Sequence, residues 1–464
     1  MTSAGLPMGH VVYGRVVALV SQALPEHSST RGSSEQQRPP REGTIMAALR
    51  MGATSLVLVL VATACTSGAD PQAASPASTA SDAGTAAVHE ECRRLDELEH
   101  GEVDPAPATG AEFPWDREDP VVLEGFDDDA IISGGPPPDG IQPIDDPCFE
   151  SVDVADEWLE PQSPVMVVEI EGDRRAYPLA ILTQHEIVND VVGGVPVVVT
   201  YCPLCNSGLA FERTVDGQVL DFGTSGRLFQ SNLVMYDRQT RTLWTQFTGQ
   251  AVVGADFVGT ELERVPTALL GWEEFVQATP DGLVLSRDSL PGRSYGRNPY
   301  PGYKGSGDGF LFEGPRDGRL PPNTRVVGLG ADRDPVAVTL DHLRDEQVVA
   351  LELDGQPLTL WWAPGQASAL DESSVDGGQD VGSTSAFVPT LDGDTRLEFT
   401  VSADDPTVFV DAQTGSRWNL LGEAIDGELA GTQLQPVPLD DTFWFVWFAF
   451  QPETGIIGGG DGGT

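Results

Sequence analysis

The chain has 464 residues, 40% of them hydrophobic, which is length enough for two or three domains. Its 71 acidic side chains against 26 basic ones give a formal net charge of -45. A field of that sign excludes nucleic acid and anionic membrane surfaces as partners, because phosphate repels it. With no EF-hand spacing of Asp, Asn and Gly, the acids read as solvated surface.

Residues 1–45 carry neither a core pattern nor signal character, and read as a leader outside the mature protein; Met46 or Met51 is the expected start. Then comes "MAALRMGATSLVLVLVATAC", with Arg50 as its positive region, a short apolar core at residues 56–62 and small residues before Cys65. The apolar core is too short to span a bilayer. Residues 46–65 resemble a bacterial lipoprotein signal with Cys65 as the lipidated residue, although Ala62 stands where such boxes usually carry Leu or Val. The expectation is an exported protein, lipid-anchored on the outer face of the cytoplasmic membrane or secreted, and touching the membrane only through its anchor. Residues 66–110 read as a flexible Ala/Ser/Pro linker and 111–164 as a lead-in to folded material. Disulfides persist outside the cytoplasm. The four remaining cysteines allow three pairings, and the economical one joins Cys92 with Cys148 and Cys202 with Cys205.

Two segments, 165–290 and 325–455, can be laid over each other. "GGVPVVVTYCPLC", "YDRQTRTLW" and "GQAVVGADFVGTELERVP" in the first meet "DGQPLTLWWAPGQ", "VDAQTGSRW" and "GEAIDGELAGTQLQPVP" in the second. Gly194 then meets Gly355, Trp244 meets Trp418 and Pro266 meets Pro438. Val-rich runs between "GG", "DG" and "QTG" turns predict strands, and "TALLGWEEFVQAT" has helical spacing. The expected fold is mainly β (α+β with few helices), as two tandem related β-rich modules packed together. A Tyr/Gly/Pro loop at 291–324 connects them, and 456–464 is a Gly-rich tail.

The candidate site is "TYCPLCNSGLAF", with Cys202 and Cys205 two residues apart. In the overlay Cys202 meets Ala363 and Cys205 meets Gln366, so the fold does without the thiols in one copy. His185 also lacks a counterpart, His342 falling about two residues out of register. A Cys-X-X-Cys pair can close a small-ring disulfide whose first thiol gains acidity beside positive charge. His185 is the candidate proton acceptor, Arg238, which faces Ala412, the candidate catalytic cation, and Arg227 a further positive charge. Asn206 and Ser207 offer polar groups to a bound molecule, and Tyr295 lies on the loop that can lid a cleft between modules. No helix or βαβ pattern surrounds the pair, which excludes thioredoxin itself. A closed zinc site needs four ligands, so no metal or cofactor is assigned. "GTSG" at 223–226 reads as a hairpin turn, and Asp237 and Thr240 read as turn residues.

The stretches "HEIVND", "VTYCPLCNSGLAF", "FGTSGRLFQSNLVMYDRQTRTLW", "YGRNPYPGY" and "FWFVWFAFQPETG" together resemble the bacterial and archaeal domain-of-unknown-function family 3179, over residues 165–455. Some members of that family look like selenoproteins, with selenocysteine in place of a cysteine of such a motif. The resemblance therefore implies redox chemistry at Cys202 and Cys205, since selenium replaces a reactive sulfur. Here "TLWTQ" stands where relatives read Ser-Leu-Trp-Ser-Gln. Three functions are open: a thiol/disulfide redox protein serving an unidentified partner protein or small molecule, a non-catalytic binding module with a structural disulfide, or a metal binder using the pair and His185.

Overall fold

In a computed structural model the described residues are 92, 93, 113, 115, 120–303, 307, 309–331, 334–391 and 395–459. The leader, the signal with Cys65, nearly all of the linker and the end of the tail lie outside them. Among the described residues, no helix is long and apolar enough to cross a membrane. The fold is mainly β.

The first half opens with the hairpin Pro164–Ile170 (β1) and Asp173–Pro178 (β2). Its turn residues, Glu171 and Gly172, both have positive φ, the twist that suits a two-residue hairpin. Helix Leu179–His185 (α1) follows, and Glu186 ends it in the left-handed conformation at φ 60°. Ile187–Val192 (β3) and Val195–Cys202 (β4) form a second hairpin through Gly193 and Gly194. Ser207–Glu212 (β5) pairs back onto β4. Phe222–Phe229 (β6), Asn232–Asp237 (β7), Leu243–Thr245 (β8) and Gln250–Gly254 (β9) then run as an antiparallel meander. Thr267–Gly271 (β10) returns to β1, Trp272–Ala278 (α2) follows it, and Leu283–Leu285 (β11) lies parallel to β2.

The same order recurs in the second half. Arg325–Leu329 (β12) pairs Val336–Thr339 (β13), and Leu340–Glu346 (α3) ends at Gln347, also at φ 60°. Val348–Leu353 (β14), Gln356–Ala363 (β15) and Ser383–Val388 (β16) follow. Phe399–Val401 (β17), Phe409–Asp411 (β18), Arg417–Trp418 (β19) and Ala424–Asp426 (β20) form the smaller meander. Asp440–Phe443 (β21) returns to β12, Trp444–Phe450 (α4) follows, and Gly455–Ile457 (β22) lies parallel to β13. The two halves share one sheet, because β10 pairs with β16 at Leu269 and Thr384. Buried Val, Leu, Phe and Trp side chains line this sheet on both faces, each worth about 1.5–3 kcal/mol over exposure.

Three local expectations change. "TALLGWEEFVQAT" is a strand followed by a helix, since its first residues are drawn into the ladder with β1. With α1 and α3 aligned at their first residues, His342 falls opposite Ile181 and Glu346 opposite His185, so the register offset is larger than the overlay gave. "GTSG" is not a hairpin turn but a bulge inside β6. There Gly226 has φ +72°, and a Cβ would stand 1.9 Å from the Pro136 carbonyl. The hairpin turn lies at Gln230 and Ser231, both with positive φ.

Candidate functional site

Cys202 is the last residue of β4, and a short loop carries the chain to β5. Pro203 fixes one φ of that loop. Cys205 N–H donates to the Cys202 carbonyl at 3.2 Å and Asn206 N–H to that of Pro203 at 3.3 Å. Asn206 takes φ +53°, a conformation Asn tolerates better than most residues, and Ser207 then faces Cys202 across the ladder. The second half ends β15 at Ala363 in the same way, but its loop to β16 runs on to Gly382.

Cys202 and Cys205 are free thiols, both buried. Their sulfurs stand 3.3 Å apart, the Cys202 thiol donating; a disulfide needs about 2.0 Å. The expected second disulfide is thus present as a dithiol in contact. The Cys205 thiol donates to the Ser231 carbonyl at 3.4 Å and accepts from Asn232 Nδ2 at 3.3 Å. Asn232 also donates to Gln246 Oε1 at 2.7 Å, where Ser207 Oγ donates at 3.1 Å. Gln246 Nε2 reaches Thr200 Oγ1 at 2.9 Å, which closes a buried polar network under the loop. Burial pushes the Cys205 thiol well above its usual range; the bond to Cys202, its charge and that of Glu186 add to this, and only the Asn232 amide opposes it.

The second half and the connecting loop hold the site from outside. The Cys205 carbonyl accepts from Phe443 N at 3.2 Å and Thr442 Oγ1 at 2.8 Å, both on β21. Tyr303 Oη donates to the Leu204 carbonyl at 3.0 Å and accepts from Phe310 N at 2.9 Å. Tyr300 packs against the same cluster. Glu186 lies here too: its carbonyl accepts from Tyr201 N at 2.8 Å, one residue before Cys202. The residue is 7% exposed, and burial raises its carboxyl from 4.5 to about 8.

His185, on the other side of the α1 terminus, does not reach the thiols through either ring nitrogen. Nδ1 bonds the Gln142 carbonyl at 2.6 Å and so carries the proton; Nε2 therefore accepts from Tyr295 Oη at 2.9 Å. Burial lowers its basicity, the Gln142 bond opposes this and Arg293 adds to it, so the ring is neutral near pH 7. Tyr295 borders a cleft of about 510 Å³ whose walls include Trp158, Arg287, Arg293 and Asp376. Arg287 stacks over Trp158 at 4.6 Å. Arg238 is held by Asp145 at 2.7 Å and Asp139 at 3.3 Å, and Arg227 sits on β6 beside Ser133. Asn206 and Ser207 follow the thiols in the chain, but the Asn206 side chain accepts from Tyr201 Oη at 3.2 Å and Ser207 Oγ donates to Gln246, so neither side chain bonds a sulfur. Cys92 and Cys148 are joined in a disulfide with Cα atoms 5.4 Å apart. Among the described residues, no group of three or more His, Cys, Asp or Glu side chains is placed to hold a metal ion.

Glu186, Asn232 and Gln246 were not among the residues singled out from the sequence. The signal for Glu186 was present: its counterpart beyond α3 is Gln347. All four polar residues of "HEIVND" are buried, which the motif's polarity hides.

A family model described as "Protein of unknown function (DUF3179)" matches residues 138–454. The chain belongs to this family. No curated protein and no solved structure matches the chain. Membership in the DUF3179 family carries no assigned activity, so the chemistry rests on the dithiol and its surroundings.

Proposed function

We propose that Cys202 and Cys205 form a thiol–disulfide exchange centre in an exported, lipid-anchored protein. The observation that carries the reading is the pair of unbridged sulfurs 3.3 Å apart, bonded to each other and to a donor and an acceptor supplied by a neighbouring hairpin. The reaction balances as two protein thiols plus a partner disulfide giving one protein disulfide plus two partner thiols. A thiolate attacks the partner disulfide, one partner thiolate leaves, and the second protein sulfur then attacks the mixed disulfide to expel the other. The partner is a protein or small-molecule disulfide.

Burial supports a second reading, a binding module in which the pair is only a staple, since Cys205 is 0% and Cys202 2% exposed. The reduction potential of the purified domain decides between them, with metal content assayed on the same sample. A value between about -270 and -120 mV supports exchange. A value below about -300 mV overturns it and leaves the staple. Bound metal in stoichiometric amount would instead make the pair ligands. Anchoring is tested separately: Cys65→Ser should release the protein from membranes, and unchanged membrane association would refute lipidation at that residue.

A further inference from the structure

The structure assigns the cleft beside Tyr295 as a binding site for a small hydroxy acid, an inference independent of the exchange reading. The cleft holds about 510 Å³, within the roughly 300–1,000 Å³ that small-molecule sites occupy. Three parts of the chain wall it: the first half through Trp158, the loop after β11 through Arg287, Arg293 and Tyr295, and the second half through Asp376. Hydrogen bonds fix these parts to one another. Gln184 Nε2, on α1, donates to the Ser294 carbonyl at 2.9 Å, and Val375 N donates to the Gly296 carbonyl at 2.9 Å. The walls are thus set before any ligand enters.

The charges on the wall fix the class of ligand. The chain has 71 acidic residues to 26 basic ones, and Arg174, Arg175, Arg238, Arg264 and Arg325 each hold a carboxylate at 3.0 Å or closer. Arg287 and Arg293 hold none among the described residues. Arg287 lies over Trp158 at 4.6 Å, and that indole is itself fixed, its Nε1 donating to Glu150 Oε1 at 2.6 Å. Contact through the ring face leaves the guanidinium N–H groups available to a carboxylate. Arg293 makes only a long bond, from Nη2 to Gln142 Oε1 at 3.4 Å. The net charge of -45 does not forbid an anion here. Salt screens exposed charges beyond about 8 Å, whereas the two guanidinium groups act at contact. Tyr295 and Asp376 add a second requirement. The Tyr295 hydroxyl donates to His185 Nε2 at 2.9 Å, and the Gln142 carbonyl holds His185 in that tautomer at 2.6 Å. Towards a ligand, Tyr295 Oη is therefore an acceptor. Asp376 accepts from Ser374 Oγ and has acceptor capacity left. A ligand that meets all four groups carries a carboxylate for the arginines and hydroxyls for Tyr295 and Asp376. His185 acts through Tyr295, as a positioning residue.

The test uses the full chain with D-glucuronate as the probe, and acetate as a carboxylate without hydroxyls. Calorimetric titration should show saturable binding of D-glucuronate, at least about tenfold tighter than acetate. Arg287→Gln and Arg293→Gln should each weaken it at least about tenfold. Tyr295→Phe should weaken D-glucuronate and leave acetate unchanged. Absence of saturable D-glucuronate binding overturns the assignment, as does binding that both arginine variants retain in full. Equal affinity for the two acids overturns the hydroxy-acid class. If a variant does not fold, the wild-type chain decides. D-glucuronate should then protect Arg287 and Arg293 from phenylglyoxal, read by peptide mass spectrometry, and modification at an undiminished rate overturns the site.

Discussion

At the scale of single residues, the polar groups of "HEIVND" divide by the side of the α1 terminus on which they fall. His185 has both ring nitrogens occupied and is a structural bridge to Tyr295. The Glu186 carboxyl next to it has no hydrogen bond to another described residue, and its protonation carries a stability signature. Its carboxyl titrates near 4.5 when unfolded and at about 8 when folded, so between those values the folded state holds the extra proton. Stability is therefore fully present below about pH 4.5 and declines as pH rises to about 8, by up to about 1.4 kcal/mol per pH unit. Glu274, which burial raises to about 7 against the opposing Ser383 and Gly271 bonds, adds a decline of the same sign. The informative quantity is thus the difference between variants. Urea unfolding at pH 5 and pH 8 should show Glu186→Gln losing less stability over that interval than the wild-type chain. Equal losses would show that the carboxyl is not held protonated.

At the scale of elements, the two meanders turn on matching hydrogen-bond sets. Asp237 accepts from Thr240 N at 2.5 Å, Thr242 N at 3.2 Å and Trp244 Nε1 at 2.9 Å. Asp411 accepts from Thr414 N at 2.6 Å, Ser416 N at 3.1 Å and Trp418 Nε1 at 3.0 Å. Both carboxylates are buried, and removing either strands several donors at once. Asp237→Ala and Asp411→Ala should each cost about 3 kcal/mol or more by denaturant titration. A cost confined to one of them would mean that the two turns, though alike in bonding, do not bear equally on the fold. The repeat made these aspartates legible as turn residues. It did not reveal that each caps the indole of its own tryptophan.

At the scale of the whole molecule, the halves are not separable beads. β10 and β16 are neighbours in one sheet, Arg264 pairs with Asp440 at 3.0 Å, and β21 holds the Cys205 carbonyl. A fragment covering residues 120–303 would expose the β10 edge and leave that carbonyl unpaired, at a cost of about 1–3 kcal/mol for each stranded buried group. Expressed alone, it should lack a cooperative thermal transition, and co-expression with residues 309–459 should restore one. A fragment that melts cooperatively by itself would show that the first half folds without its neighbour.

The β-rich class is legible without any structure, because Val-rich runs between glycine turns admit little else. It also singled out the cysteine pair, since only one copy of the repeat carries it. Which groups meet the thiols was decided by tertiary structure. Asn232 arrives from strand β7, Gln246 from the turn after β8, and Thr442 from the far half; sequence spacing does not encode such long-range pairing.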